Sequence, residues 1–569
     1  MASEFEVSGR NTEALFTLKL HRGDGMLLLA MNWKKGEPPS DFVGFAIEYK
    51  EPNGQKFFVL RNRLGFPDVD GQVNPNQIST RLSPIQKFRW VHFPRNANSP
   101  GGFVYRVFPV FMNAQDELSY GDFQEAVIEL RRETYPDVLN VAFTRGFVSS
   151  QAFVEQYQSA GDISTLLPAK AADGLNFEPS HPKAKEALDW MGFEARSAIL
   201  EVLDQAIADQ NAEVKVIAFD LNESEIVNRL EQLGSRLSII IDDSKDHKEE
   251  GSSENQAEER LIVSAGAEAV KRQHMSSLQH NKIIIVDSPT IQTVVCGSTN
   301  FSWRGFFVQA NNAVVLQGID AVKVFTSAFE NYWQQPKDFE DTSSAGWNDL
   351  NLPSIDARVA FSPHSSANAL LQTIGDDINR HTTSCLFFSL AFLYQTKGAI
   401  RDAIEKILKD ENIFVYGISD KKIGGLDLQK PDGNLAPVFP AALTKNIPKP
   451  FSAEPTGGGG TRMHHKFVVI DFDKPTARVY LGSYNFSPTA DTKNGENLLL
   501  IKDRRIAVSY VVEAVRIIDH YHFRVVQQEA QDAQRTLHLK KPPRQTGEKP
   551  WWDEDYRNAQ KIRDRELFA

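Results

Sequence analysis

One short pattern occurs twice in the chain, and each copy dictates a strand, a turn and a returning strand. In the first copy His280 and Lys282 flank one residue at the start of the apolar run Ile283–Val286, which ends at Asp287. A second run, Thr293–Cys296, then delivers Gly297-Ser298-Thr299-Asn300. In the second copy His464 and Lys466 lead to Asp471, and Gly482-Ser483-Tyr484-Asn485 closes the hairpin. Residues two apart in a strand share a face, so each His and Lys project together. The return strand can bring Ser298 and Asn300, or Ser483 and Asn485, beside them. A lone His-x-Lys arises by chance in many chains. Two copies with the same Lys-to-Asp spacing and the same ending are a duplicated site element.

The flanking segments repeat in the same order. A helical pattern at Ala195–Ala208, a strand at Glu213–Phe219, a helix at Ser224–Leu233 and a strand at Leu237–Ile241 precede the first motif. Ala367–Asn379, Cys385–Leu393, Ala399–Lys409 and Ile413–Gly417 precede the second. An amphipathic helix follows each, Val322–Trp333 and Val508–Val526. Alternating helices and strands in two equivalent runs indicate a duplicated α/β unit. The insertion ahead of each motif differs: Asp242–Glu259 is crowded with charge, and Lys421–Arg462 is rich in Pro and Gly. Both read as solvated loops beside the site.

Upstream, seven short β-type runs between Thr12 and about Arg132, punctuated by Gly, Pro and Asn, predict an antiparallel sandwich. Phe42–Tyr49 and Tyr105–Val110 resemble inner strands of a fibronectin type III-like domain, with Tyr105 as a tyrosine corner. The expected domains are a β-sandwich over 1–134, α/β lobes over 135–350 and 351–540, and a polar tail over 541–569 containing Trp551-Trp552. Such a sandwich suits contact with a protein partner.

The formal charge of −11 argues against a surface that clings to polyanions throughout, although a local basic groove remains open. Lys271, Arg272, Arg304 and Arg462 are placed to extend one. Cys296 and Cys385 are too few for a disulfide framework. His274, His465 and Cys296 lack metal-type spacing and read as packing or surface groups. Met1–Asn11 has no secretory pattern, which points to the cytoplasm. No run reaches the roughly 20 apolar residues that span a bilayer.

Phosphodiester cleavage needs a nucleophile, positive charge on the non-bridging oxygens and a proton for the leaving oxygen. Two facing His–Lys–Asn–Ser sets supply all three without metal or cofactor. One imidazole attacks phosphorus, and the other protonates the leaving group and then activates water. Lys282, Lys466, Asn300 and Asn485 would hold the phosphoryl oxygens, with Ser298 and Ser483 as further donors.

The paired motifs resemble the signature of the phospholipase D superfamily, over roughly Asn140 to Gln528. That resemblance implies a two-lobed α/β/α fold, one site at the lobe interface, a phosphohistidine intermediate and no metal. It also implies a structural role for Asp287 and Asp471. The gap between Asp and Gly-Ser, nine residues in the first copy and ten in the second, is longer than usual in the family, and a longer hairpin tip absorbs it. Thirteen residues past the serine, where the family often has a carboxylate partner for histidine, stand Asn311 and Glu496. Pairing within each copy gives His464 with Glu496 as the general acid and His280 with Asn311 as the nucleophile.

The motifs leave the substrate open. Nucleic acid is slightly favoured, since the Gly-Ser-x-Asn-Phe-Ser endings and Asn494-Gly495-Glu496-Asn497 resemble nuclease-type branches of the family. Phospholipid hydrolysis or phosphatidyl transfer is the alternative, and a scaffold without catalysis is the third reading.

Overall fold

In the computed structural model, which describes residues 4–68, 70–74, 76–130, 132–146, 150–393, 398–419 and 463–569, both motif strands lie in the middle of a seven-stranded sheet. The first sheet runs in the order Leu139–Phe143, Asn312–Gln317, Gln292–Gly297, Lys282–Asp287, Glu213–Ala218, Leu237–Ile241, Val270–Arg272. The second runs Asn348–Asp349, Asp356–Ser362, Glu496–Lys502, Arg478–Gly482, Lys466–Ile470, Cys385–Leu390, Phe414–Ile418. Six successive strands correspond between the two sheets, and each sheet adds one short edge strand of its own. The insertion Lys421–Arg462, with Arg462, lies outside the described residues.

The central position explains the sequence of the motif strands. Ile283, Ile284, Ile285 and Val286 are all buried, as are Phe467, Val468, Val469 and Ile470. Strands covered on both faces read as continuous apolar runs rather than as alternation. The helix Ser224–Leu233 buries Ile226, Val227, Leu230 and Leu233, one stripe of an amphipathic helix. Each lobe also begins one strand earlier than the sequence pattern indicated, with Leu139–Phe143 and Asp356–Ser362 paired to the strands that follow the Gly-Ser-x-Asn turns.

The described residues between 133 and 419 and between 463 and 507 form one compact unit containing both sheets, so the α/β duplication is a single body. The other unit combines Met1–Arg132 with Val508–Ala569. Its sandwich has a four-stranded sheet (Glu6–Ser8, Phe16–Gly23, Met26–Trp33, Arg89–His92). The facing sheet is built on Phe58–Val59, Phe42–Lys50, Gly102–Met112 and Leu118–Tyr120, and Gln124–Glu129 also pairs with Gly102–Met112. Phe16, Leu29, Phe45, Phe103 and Tyr105 fill the space between them. The Tyr105 hydroxyl bonds His92 Nδ1 at 2.9 Å, a side-chain contact where a tyrosine corner would bond backbone.

The C-terminal segment from Val508 onward groups with the sandwich, including the polar tail over 541–569. Trp552 is buried in the sandwich core, Trp551 Nε1 donates to Phe42 O at 3.0 Å, and Phe568 is buried. Arg89 bonds Asp519 Oδ2 at 2.6 Å and Asp564 Oδ1 at 2.7 Å. Polar composition hid this because the buried contacts rest on a few aromatic side chains, Trp551, Trp552 and Phe568. Trp552→Ala is therefore expected to cost this unit about 3 kcal/mol of stability, read as a lower urea midpoint; an unchanged midpoint would show that the segment is not part of the core.

Candidate active site

The two motif strands start beside one another. His280 and His464 have ring centroids 6.4 Å apart, a separation that lets both rings reach one phosphoryl group. Both are nearly enclosed, with relative exposures of 4 % and 5 %, and Lys282 and Lys466 are buried beside them. Each lysine Nζ donates to the carbonyl of the histidine two residues earlier in its own motif.

The histidine partners are crossed, which corrects the pairing drawn from sequence. His280 Nδ1 bonds Glu496 Oε2 at 2.7 Å, and His464 Nδ1 bonds Asn311 Oδ1 at 2.8 Å. Each histidine thus uses the partner carried by the opposite lobe. The backbone enforces the exchange: Gln279 bridges Gly495, and Ala310 bridges Met463. Asn281 accepts from Asn497 Nδ2 at 3.0 Å, and Asn312 lies 3.3 Å from His465 Nδ1. These contacts repeat the crossing one residue further on. His465 is accordingly a buried packing group that ties the halves together.

Carboxylate and amide oxygens both accept, so each Nδ1 carries the proton and each Nε2 is the nitrogen left for chemistry. Burial pulls the His280 pKa below its ordinary value, and Lys282 adds to this, while the Glu496 charge opposes it. His464 is held well below the usual range by burial and by the charges of Lys466 and Lys282. Burial pushes Lys282 down to about 8 and Lys466 well below its normal value. An anion placed between these groups would favour their charged forms.

The serines act within the protein. Ser298 Oγ donates to Asn311 Oδ1 at 3.1 Å and accepts from Asn312 N, so its expected place as a phosphoryl donor is taken by positioning Asn311. Ser483 Oγ accepts from Asn497 N at 3.0 Å. Asn300 Nδ2 donates to Asp220 Oδ2 at 2.7 Å, and the buried Oδ1 atoms of Asn300 and Asn485 have no hydrogen-bond partner among the described residues. Gly297 and Gly482 precede these loops with φ of +125° and +140°; a Cβ there would lie 2.6 and 2.2 Å from the carbonyls of Asn312 and Asn497. Glycine is required by both the angle and the close approach.

The motif aspartates differ. Asp471 is buried and accepts the backbone N–H groups of Thr383, Ser384 and Cys385 at 2.9 to 3.1 Å, a structural role. Asp287 is exposed at the end of its strand. The flanking cations are also accounted for locally. Lys271 donates to Trp333 O, and Arg272 binds Asn255, Glu258 and the carbonyls of Asp242 and His247, so neither extends an open groove. Arg304 lies over the Trp303 ring and its charge acts on Asp220. His274 is exposed and bonds Asp243, and Cys296 is buried. The first insertion is structured, with Ser253–Ala265 helical and His247 half-buried against Phe219.

Residues 199–333 and 374–517 match the family model described as "Cardiolipin synthase, PLD-like domain". A phospholipase D of Rickettsia prowazekii (strain Madrid E) is 46 % identical over 48 residues, and one of Rickettsia felis is 44 % identical over the same length; the match covers 8 % of this chain and 22 % of each relative. Among solved structures, phosphatidylserine synthase of Haemophilus influenzae aligns over 66 % of this chain and 93 % of its own, at 14 % identity and a TM-score of 0.40. Nuc, a phospholipase D family member from Salmonella typhimurium, aligns over 25 % and 89 % at 24 % identity and a TM-score of 0.21. The chain belongs to the phospholipase D superfamily. No helix among the described residues is long and apolar enough to cross a membrane.

The depressed histidines set a pH dependence of stability. The unfolded chain binds protons near pH 6.5, while folded His280 and His464 resist them, so stability falls as pH drops below about 6.5. Melting temperature measured from pH 7 to 5 is expected to fall less steeply in His464→Gln than in the parent; equal slopes would place the histidines in contact with bulk water.

Proposed function

We propose that the protein is a phosphodiesterase that works through a covalent phosphohistidine on His280. The observation that carries this is the pair of imidazoles 6.4 Å apart, each with Nδ1 fixed by an acceptor from the other lobe. The bound phosphodiester anion favours a second proton on His464, at Nε2; His280 Nε2 attacks phosphorus while the bond to the leaving oxygen breaks, and that oxygen takes the Nε2 proton of His464. The phosphorylated ring is cationic, and the adjacent Glu496 carboxylate neutralises it. This assigns the nucleophile to His280 on account of a carboxylate, where sequence pairing reached the same residue through an amide. His464, whose pKa is depressed, gives up a proton readily and then accepts one from water as the water oxygen displaces His280. Lys282, Lys466, Asn300 and Asn485 are the groups available to the non-bridging oxygens.

For the substrate, a phospholipid diester is the better supported class. The matching family model and the Rickettsia relatives carry lipid-enzyme names. Nucleic acid, favoured slightly by sequence, loses support because Lys271 and Arg272 are engaged inside the first lobe. An alcohol taking the place of water would turn hydrolysis into phosphatidyl transfer.

Phosphatidylcholine vesicles, single- and double-stranded DNA and RNA assayed in parallel with EDTA test this. Lipid turnover retained in chelator and lost in His464→Ala is expected; cleavage of nucleic acid alone would reassign the substrate, and loss of all activity in EDTA would overturn the metal-independent chemistry. With bis(4-nitrophenyl) phosphate the leaving group needs no acid, so His464→Ala should accumulate a stable aryl phosphate on the peptide containing His280. Absence of that adduct would contradict the covalent route.

A further inference from the structure

An ionic chain outside both motifs, half-buried at His247 and Asp220 and fully buried at Asp242, joins the two working elements of the first lobe. Asp220 Oδ2 accepts from Asn300 Nδ2 at 2.7 Å and from Ser302 Oγ at 3.3 Å. Its Oδ1 lies 3.3 Å from His247 Nε2. On the other side of the ring, His247 Nδ1 is 2.8 Å from Asp242 Oδ2. Asp242 is fully buried, and its Oδ1 accepts the backbone N–H of Gln279 at 2.6 Å, immediately ahead of His280. The chain therefore runs from Asn300 through Asp220, His247 and Asp242 to the start of the His280 strand.

Other groups hold the ring in place. Phe219 lies between the rings of His247 and His280, with centroids 4.7 and 4.6 Å away, and Lys282 Nζ sits 4.7 Å above it. Arg272 donates to the carbonyls of Asp242 and His247 and fixes the loop. Glu254 Oε1 accepts from Leu221 N at 3.0 Å and stands 3.9 Å from His247 Nε2. The charges facing this ring are thus Asp220, Asp242 and Glu254, with Lys282 and Arg304 beyond Asp220. A neutral imidazole has one donor and would set a lone pair against one carboxylate; the imidazolium donates to both.

We propose that His247, as an imidazolium, is a positioning residue: it ties Asp220, which orients Asn300, to Asp242, which holds the backbone entering His280, and so sets both against the phosphoryl group. This rests on the phosphodiesterase reading of the site. Burial lowers the His247 pKa, but its bonds to Asp220 and Asp242 outweigh that and raise it to about 10. Among the described residues the second lobe shows no equivalent chain. Ala218 faces Lys282 and Leu390 faces Lys466, so Phe392 stands where Asp220 does. Among the described residues it is the asparagine of the first lobe, Asn300, that is anchored by a carboxylate.

The test combines kinetics with titration on the full chain. His247→Leu and the shape-conserving Asp220→Asn are each expected to lower kcat on bis(4-nitrophenyl) phosphate by about tenfold or more, with KM changed by less than about threefold. His247→Arg, which keeps the charge and two donors, should restore part of the loss. Labelled His247 followed by NMR should remain protonated past pH 8. Unchanged kcat in Asp220→Asn and His247→Leu overturns the proposal, as does a His247 titration near 6.5. So does stoichiometric metal in the purified protein with activity lost in EDTA, because a cation would then replace the ring proton. If the parent enzyme turns over no phosphodiester, the functional reading fails, and the titration of His247 still decides whether the clamp is charged.

Discussion

The hydrogen bond from His280 to Glu496 and its counterpart from His464 to Asn311 are the contacts on which the site depends, because each joins a ring in one lobe to an acceptor in the other. A buried imidazole N–H without an acceptor is costly. Neither lobe can satisfy its own histidine with the partner it carries, so two complete motifs make one site only when the lobes are joined. The parallel bridges Gln279 to Gly495 and Ala310 to Met463 set the register in which this happens. Gly297 and Gly482 let the two loops pass close enough to the strands behind them.

Electrostatics follows from the same enclosure. In a chain of net charge −11, two lysines and two histidines converge with one carboxylate, Glu496, in contact with a ring. Burial lowers the pKa of all four bases, which disfavours their charged forms. A phosphodiester anion would offset this on binding, so affinity and the charged state of the site are coupled. The carboxylate stands beside His280 alone, and the two rings are chemically unequal despite their matching motifs.

Local pattern made part of this legible. Met26–Trp33, Ser224–Leu233 and Leu237–Ile241 have the ends that periodicity and flanking residues indicate. The His-x-Lys strands and Gly-Ser-x-Asn turns also stand where spacing puts them. Crossing was not legible, since Glu496 and Asn311 occupy equivalent positions and spacing cannot say which lobe a side chain faces. The opening strands Leu139–Phe143 and Asp356–Ser362 escaped notice because their partners lie far along the chain. Charge in Asp242–Glu259 suggested solvation, whereas Asp242 and Glu254 are buried around His247. The role of the tail was not legible in its polar composition; Trp552 is buried in the sandwich core and Asp564 pairs with Arg89.

The crossed pairing is tested most directly by NMR of histidine-labelled protein carrying Glu496→Gln. Loss of the carboxylate is expected to shift the ring resonances and titration of His280 and to leave those of His464 nearly unchanged. A perturbation centred on His464 instead would mean that each lobe pairs its own histidine with its own partner, and the account of a single site built by exchange between lobes would be wrong.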